Sequence, residues 1–144
     1  METMNSRGAQ PCAAPTSQPH PVGLITVLAV GGTGESYRGD RRTAVSGMLA
    51  AVVDDLDERF VPRWVGYPAS YGPATGRRGI SYADSVAEGV RSLRQALTDT
   101  DGQVVIVGYS QGAVVVRRCV HELELDADLS IDRVTVSYTH LTLP

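Results

Sequence analysis

Ser110 stands in Gly108-Tyr109-Ser110-Gln111-Gly112, directly after the apolar run Val104-Val105-Ile106-Val107 and directly before Ala113-Val114-Val115-Val116. A G-x-S-x-G pentapeptide between a strand and a helix is what a nucleophile elbow requires. The turn is sharp and strained, and side chains at the two glycine positions would meet the flanking backbones, so Gly108 and Gly112 are the residues that let it close. The chemistry this permits is attack of a serine hydroxyl on an acyl carbon. That hydroxyl barely ionises near neutral pH, so it also needs a base and donors for the developing oxyanion. The alternative for Ser110 is a plain helix cap.

Three strand–helix alternations must position this turn. Residues 24–30 form an almost unbroken apolar run, bounded by His20-Pro21 before and Gly31-Gly32 after, and read as a buried strand of a parallel sheet. Residues 43–56 follow with Val45, Met48, Leu49, Val52, Val53 and Leu56 at helical spacing and Thr43 as cap. Trp64-Val65-Gly66-Tyr67 reads as the second strand. Ser81-Tyr82-Ala83-Asp84 resembles a capping box opening a second helix, with Tyr82, Val86, Val90, Leu93 and Leu97 on one face and Arg91, Arg94 and nearby acids on a solvated one. The third helix runs from Gln111 to about His121, and a fourth strand begins near 131–134. Repeated βαβ units build a parallel sheet, so the predicted class is α/β, three-layered, with helices on both faces.

In open sheets of this kind ligand groups gather at the carboxyl ends of strands. The loop Gly31-Gly32-Thr33-Gly34-Glu35-Ser36 is therefore expected to face the same crevice as Ser110. Gly32-Thr33-Gly34 also begins like a dinucleotide-binding G-x-G-x-x-G, but the third glycine position is Tyr37 and no acidic residue ends the second strand. No Gly-Lys-Ser or Gly-Lys-Thr occurs, which removes the P-loop alternative. The connection over residues 67–80 is either a lining for an acyl or sugar group, through its tyrosines, or an ordinary surface loop.

Gly108 to Ala113, Gly32-Thr33-Gly34-Glu35 and the intervening Arg63-Trp64-Val65-Gly66-Tyr67-Pro68 together resemble the cutinase-like branch of the α/β-hydrolases. Within that branch the chain looks most like the phage lysin B esterases and the PE-PPE-domain hydrolases of actinobacteria. The resemblance implies a serine carboxylic-ester hydrolase with Ser110 as nucleophile, the Gln111 backbone N–H as one oxyanion donor and Thr33 as a second. It implies no metal and no cofactor, and a lipid or cell-wall ester as substrate, with mycolyl linkages expected if the chain is lysin B-like. An acyltransferase using the same serine, or a non-catalytic binding module on the same fold, are the alternatives.

A formal charge of −3 with 42% hydrophobic residues offers no basic field for nucleic acid. Residues 1–23 hold four of the eight prolines and only Glu2 and Arg7 as charges, and read as a flexible leader. They carry no secretory pattern, so synthesis in the cytoplasm is expected, with action on the envelope after lysis if the lysin B likeness holds. Cys12 and Cys119 neither space as a metal site nor clearly pair, and Cys119 reads as a packing residue.

In α/β-hydrolases the triad follows the chain order Ser, Asp or Glu, His. His20 falls in the leader and His121 at the end of the helix after the turn. His140 lies in residues 136–144, which resemble the conceptual translation of a sequencing adapter. The expected organisation is thus a leader (1–23), the N-terminal part of a hydrolase domain (24–135) and a non-native tail (136–144). Triad Asp and His are expected outside this chain, leaving a fragment that is inactive and poorly soluble.

Overall fold

The computed structural model describes residues 23–77, 79–126 and 133–139; the leader apart from Gly23, with His20 and Cys12, and the end of the tail, with His140, lie outside them. Four strands, β1 (Ile25–Val30), β2 (Phe60–Trp64), β3 (Val104–Tyr109) and β4 (Val134–Thr139), form one sheet in the order β2-β1-β3-β4. All three pairings are parallel. Helices α1 (Met48–Asp54), α2 (Tyr82–Thr98) and α3 (Gln111–Leu125) fill the connections.

The chain steps from β1 outward to β2, then back across to β3 and on to β4. With right-handed crossovers, that reversal puts α1 on one face of the sheet and α2 with α3 on the other. The packing agrees. Leu28, Val30, Val104 and Ile106 point into the larger core with Val86, Val90, Leu93 and Leu97 of α2 and Val115, Val116, Cys119 and Leu123 of α3. The alternate residues Ala29 and Val107 face the smaller cluster around Leu49 of α1 and Trp64. Period-2 alternation along β1 and β3 thus divides their side chains between two layers.

Two elements differ from their sequence-based expectation. The first helix begins at Met48, not at Thr43, because the Thr43 carbonyl accepts the Trp64 N–H at 2.8 Å and holds residues 43–47 beside β2. The cap comes from far away instead: Glu35 accepts the Met48 N–H at 2.8 Å, and Gly47, at φ 67°, leaves room for that carboxylate. The second strand is Phe60–Trp64, earlier than expected, and contains Pro62. Proline removes a ladder donor, which an edge strand tolerates, and β2 is at the edge.

Helix α2 starts as expected, with the Ser81 hydroxyl accepting the Asp84 N–H at 3.1 Å. Its polar face is less solvated than expected, since Arg94 reaches Asp126 at 2.7 Å and Glu122 at 3.4 Å and ties α2 to the end of α3. The same C-terminal end of α2 is bound by Arg133, which donates to the carbonyls of Leu97 and Thr100, each at 2.7 Å. A cation there complements the helix dipole and anchors the approach to β4.

Candidate active site

The switch in strand order lies between β1 and β3, so the loops leaving their carboxyl ends diverge and open a crevice. Val30 pairs with Gly108 at that end, which sets the loop after β1 against the turn after β3. Ser110 occupies the turn with φ 55° and ψ −119°, a conformation L residues rarely adopt, and its side chain is exposed. The two glycines make this geometry possible. A Cβ on Gly112 would run into the Val30 carbonyl oxygen, and one on Gly108 would lie 2.7 Å from the Gly112 carbonyl oxygen. Closure of helix α3 onto strands β1 and β3 therefore depends on both.

Gly32 also lies close to the turn, since a Cβ there would be 3.2 Å from that of Ser110. The loop after β1 is held in place by two carboxylates. Glu35 accepts the Gly32 N–H at 2.6 Å as well as that of Met48. Asp40, its side chain wholly inaccessible, accepts from the Arg42 guanidinium at 2.6 and 2.9 Å, from the Ser36 hydroxyl at 2.8 Å and from the Trp64 indole at 3.0 Å. The Arg42 guanidinium holds the Asp40 carboxyl well below the usual carboxylate range, against the opposing effect of burial. Both acids near the turn are thereby committed to the loop.

Thr33 and Gln111 meet through their side chains. The Gln111 Nε2 donates to Thr33 Oγ1 at 2.9 Å and to the Ser70 carbonyl at 3.1 Å. Its Oε1 accepts from the Ser85 hydroxyl at 2.7 Å, and Ser85 Oγ in turn accepts the Ser70 N–H at 2.9 Å. As the first residue of α3, Gln111 also carries a backbone N–H with no partner inside the helix. Thr33 is exposed while the Gln111 side chain is buried, so one faces solvent and the other braces it.

Sequence reasoning missed Ser70 and Ser85. Their one local signal was burial-compatible spacing, Ser85 falling on the apolar face of α2 between Tyr82 and Val86. The connection over residues 67–80 does border a cleft of about 640 Å³, together with Gly34, Ser36, Tyr37 and Arg38. Its tyrosines are not what line it. Tyr67 is buried and donates to the Gly31 carbonyl at 2.6 Å, burial pushing its hydroxyl well above the ordinary tyrosine range. Tyr71 packs edge-on against Tyr82 at 5.1 Å. The cleft is bordered instead by Ser70, Thr75 and Arg77.

His121 lies ten residues along α3 from Gln111, about 15 Å at the helical rise. It is not brought to Ser110. Among the described residues no group of His, Cys, Asp and Glu is arranged to hold a metal, and no helix is long and apolar enough to cross a membrane. Cys119 is buried and its thiol is pushed up to about 12 by desolvation.

Four parallel strands layered with helices, and an exposed serine on a glycine-bounded turn at the switch point, make an α/β-hydrolase-like fold. More narrowly, the chain belongs to the PE-PPE domain family, whose model matches residues 60–144. Over 54 residues it is 39% identical to SL1278 acyltransferase Chp1 of Mycobacterium tuberculosis, covering 38% of this chain and 13% of that protein. Over 82 residues it is 33% identical to acetylxylan esterase 2 of Talaromyces purpureogenus, covering 54% and 32% respectively. A solved structure of an acetyl xylan esterase iodinated complex shares the fold, with a TM-score of 0.50 at 23% identity over 67% of this chain and 46% of that one. The chain thus spans about a third or less of the length of these curated relatives.

Proposed function

We propose that the protein carries out acyl transfer from an ester to water, with Ser110 as nucleophile and without metal or cofactor. The observation that carries this reading is the exposed Ser110 at φ 55°, ψ −119° beside Thr33 and the free end of α3. The Ser110 Oγ bonds to the acyl carbon while its proton passes to a base, and the carbonyl oxygen becomes an oxyanion. The Gln111 backbone N–H and the Thr33 hydroxyl donate to that oxyanion; each such preorganised donor contributes about 3 kcal/mol to the transition state. Collapse breaks the ester C–O bond, the alcohol leaves with the proton, and water repeats the sequence in reverse on the acyl-enzyme. The base and its orienting acid come from outside the described residues.

The likeness to an acyltransferase favours a second reading on the same serine, in which an alcohol replaces water in the second half-reaction. For the substrate, the resemblance to lysin B points to lipid esters of the actinobacterial envelope, mycolyl linkages among them, met after phage-driven lysis. The test is reaction of the full-length protein with a fluorophosphonate, followed by peptide mapping. Modification is expected at Ser110 and is lost in Ser110→Ala, together with hydrolysis of a p-nitrophenyl ester. Hydrolysis that survives Ser110→Ala would remove the assignment.

A further inference from the structure

The four bonds around the Gln111 carboxamide have only one consistent set of directions. The Ser70 N–H can only donate and meets Ser85 Oγ at 2.9 Å, so the Ser85 oxygen accepts and its own proton goes on to Gln111 Oε1 at 2.7 Å. The Ser70 carbonyl can only accept and lies 3.1 Å from the other carboxamide atom, which must therefore be the NH2. That NH2 has no lone pair to offer, so Thr33 Oγ1 at 2.9 Å accepts from it. The Thr33 proton is therefore not given to Gln111 and is left for another acceptor. One residue's backbone, at Ser70, thus fixes the sense of the whole chain from both sides.

We propose that Ser85 is a positioning residue of the acyl-transfer site, holding in place, through the Gln111 carboxamide, the Thr33 hydroxyl that donates its proton. The proposal rests on the reading of Ser110 and Thr33 given above. Ser85 is wholly buried, away from solvent. Without its hydroxyl, Gln111 Oε1 loses its donor, and the carboxamide is held only through its NH2, by the Ser70 carbonyl and Thr33. A carboxamide held along one edge only is less firmly placed, and so is the Thr33 hydroxyl that accepts from it. A bonded chain also polarises each member, so its loss weakens the terminal donor even where the carboxamide stays in place.

The effect belongs to the transition state, because the oxyanion exists only there. In the full-length protein assayed with a p-nitrophenyl ester, Ser85→Ala is expected to lower kcat about tenfold and leave KM within twofold. Thr33→Val, which removes the donor itself, lowers kcat on the order of a hundredfold. Adding Ser85→Ala to Thr33→Val is expected to cost less than a further twofold, since the hydroxyl that Ser85 holds in place is already gone. A merely structural role would give the same tenfold loss in both backgrounds and overturn the proposal, as would wild-type kcat in Ser85→Ala. Should the alanine variant not fold, Ser85→Cys, similar in volume but a weak donor, reads the same quantity, and Ser85→Thr, which keeps the hydroxyl, restores the rate. Fluorophosphonate labelling of the wild type separates the two readings. If Ser110 labels and Ser85→Ala turns over normally, the positioning role alone falls; if the active wild type does not label at Ser110, both fall.

Discussion

Ser110 can be exchanged for alanine or glycine to measure the backbone strain in its turn. At φ 55° and ψ −119° the residue occupies a region that carries a Cβ only at a cost of about 1–3 kcal/mol. Its side chain is exposed and has no hydrogen-bond partner among the described residues, so removing the hydroxyl forfeits little packing. Ser110→Ala keeps the Cβ and hence the strain. Ser110→Gly relieves it, against about 0.5–1 kcal/mol of added freedom in the unfolded chain. The glycine variant is thus expected to exceed the alanine variant by about 1 kcal/mol, or about 3–5 °C in Tm for a chain of this size. Urea unfolding of both variants of the full-length protein, followed by far-UV circular dichroism, makes the comparison, and neither variant hydrolyses ester. A glycine variant no more stable than the alanine variant would refute the idea that the turn stores strain.

Gly112→Ala is expected to destabilise by more than about 2 kcal/mol, because its Cβ would overlap the Val30 carbonyl oxygen; an unchanged urea midpoint would contradict that packing. Cys119, with its thiol pushed up to about 12, is expected to resist iodoacetamide at pH 8 in the native protein and to react in denaturant, while Cys12 serves as the comparison in the same peptide map. Asp40→Asn is expected to cost about 2 kcal/mol at neutral pH by weakening the bonds to Arg42, Ser36 and Trp64. The folded carboxyl titrates well below its ordinary value of 3.8, so its contribution is complete above that value and is lost as pH falls toward the folded one. The gap between wild type and Asp40→Asn should therefore narrow by about 1.4 kcal/mol per pH unit below 3.8, and a gap unchanged between pH 7 and pH 3 would count against the assignment.

What was legible in the sequence was local. The apolar run 104–107, the glycines around Ser110 and the apolar opening of α3 lie within a dozen residues, and each constrains the same turn. The Ser81 cap and the apolar stripe of α2 were legible for the same reason, as a helix terminus and period are written in neighbours. What escaped was carried by long-range contacts. The cap of α1 is Glu35, thirteen positions before Met48, and the expected Thr43 cap is instead a strand-edge partner for Trp64. Pro62 hid β2, because a proline in a strand is acceptable only at an edge, and edge position is a property of the finished sheet. Arg94 looked like a solvated charge until α3 supplied Glu122 and Asp126.

The site shows the same division in a form that bears on mechanism. Gln111 adjoins Ser110 in the chain, and its backbone N–H is placed by the start of α3 alone. Its side chain answers to a different part of the molecule: Ser70 in the connection after β2 and Ser85 on α2, the latter 26 residues away. One residue thus joins a group fixed by local geometry to Thr33, fixed by tertiary packing, so the two halves of the proposed oxyanion site keep their relative position only while α2 stays docked on α3. Arg94, bridging those helices at their far end, and Gly89, whose missing Cβ admits Val115 and Tyr67 closely, both serve that docking. Substitutions there should act on turnover through the loss of alignment, at a distance from any atom that meets the substrate.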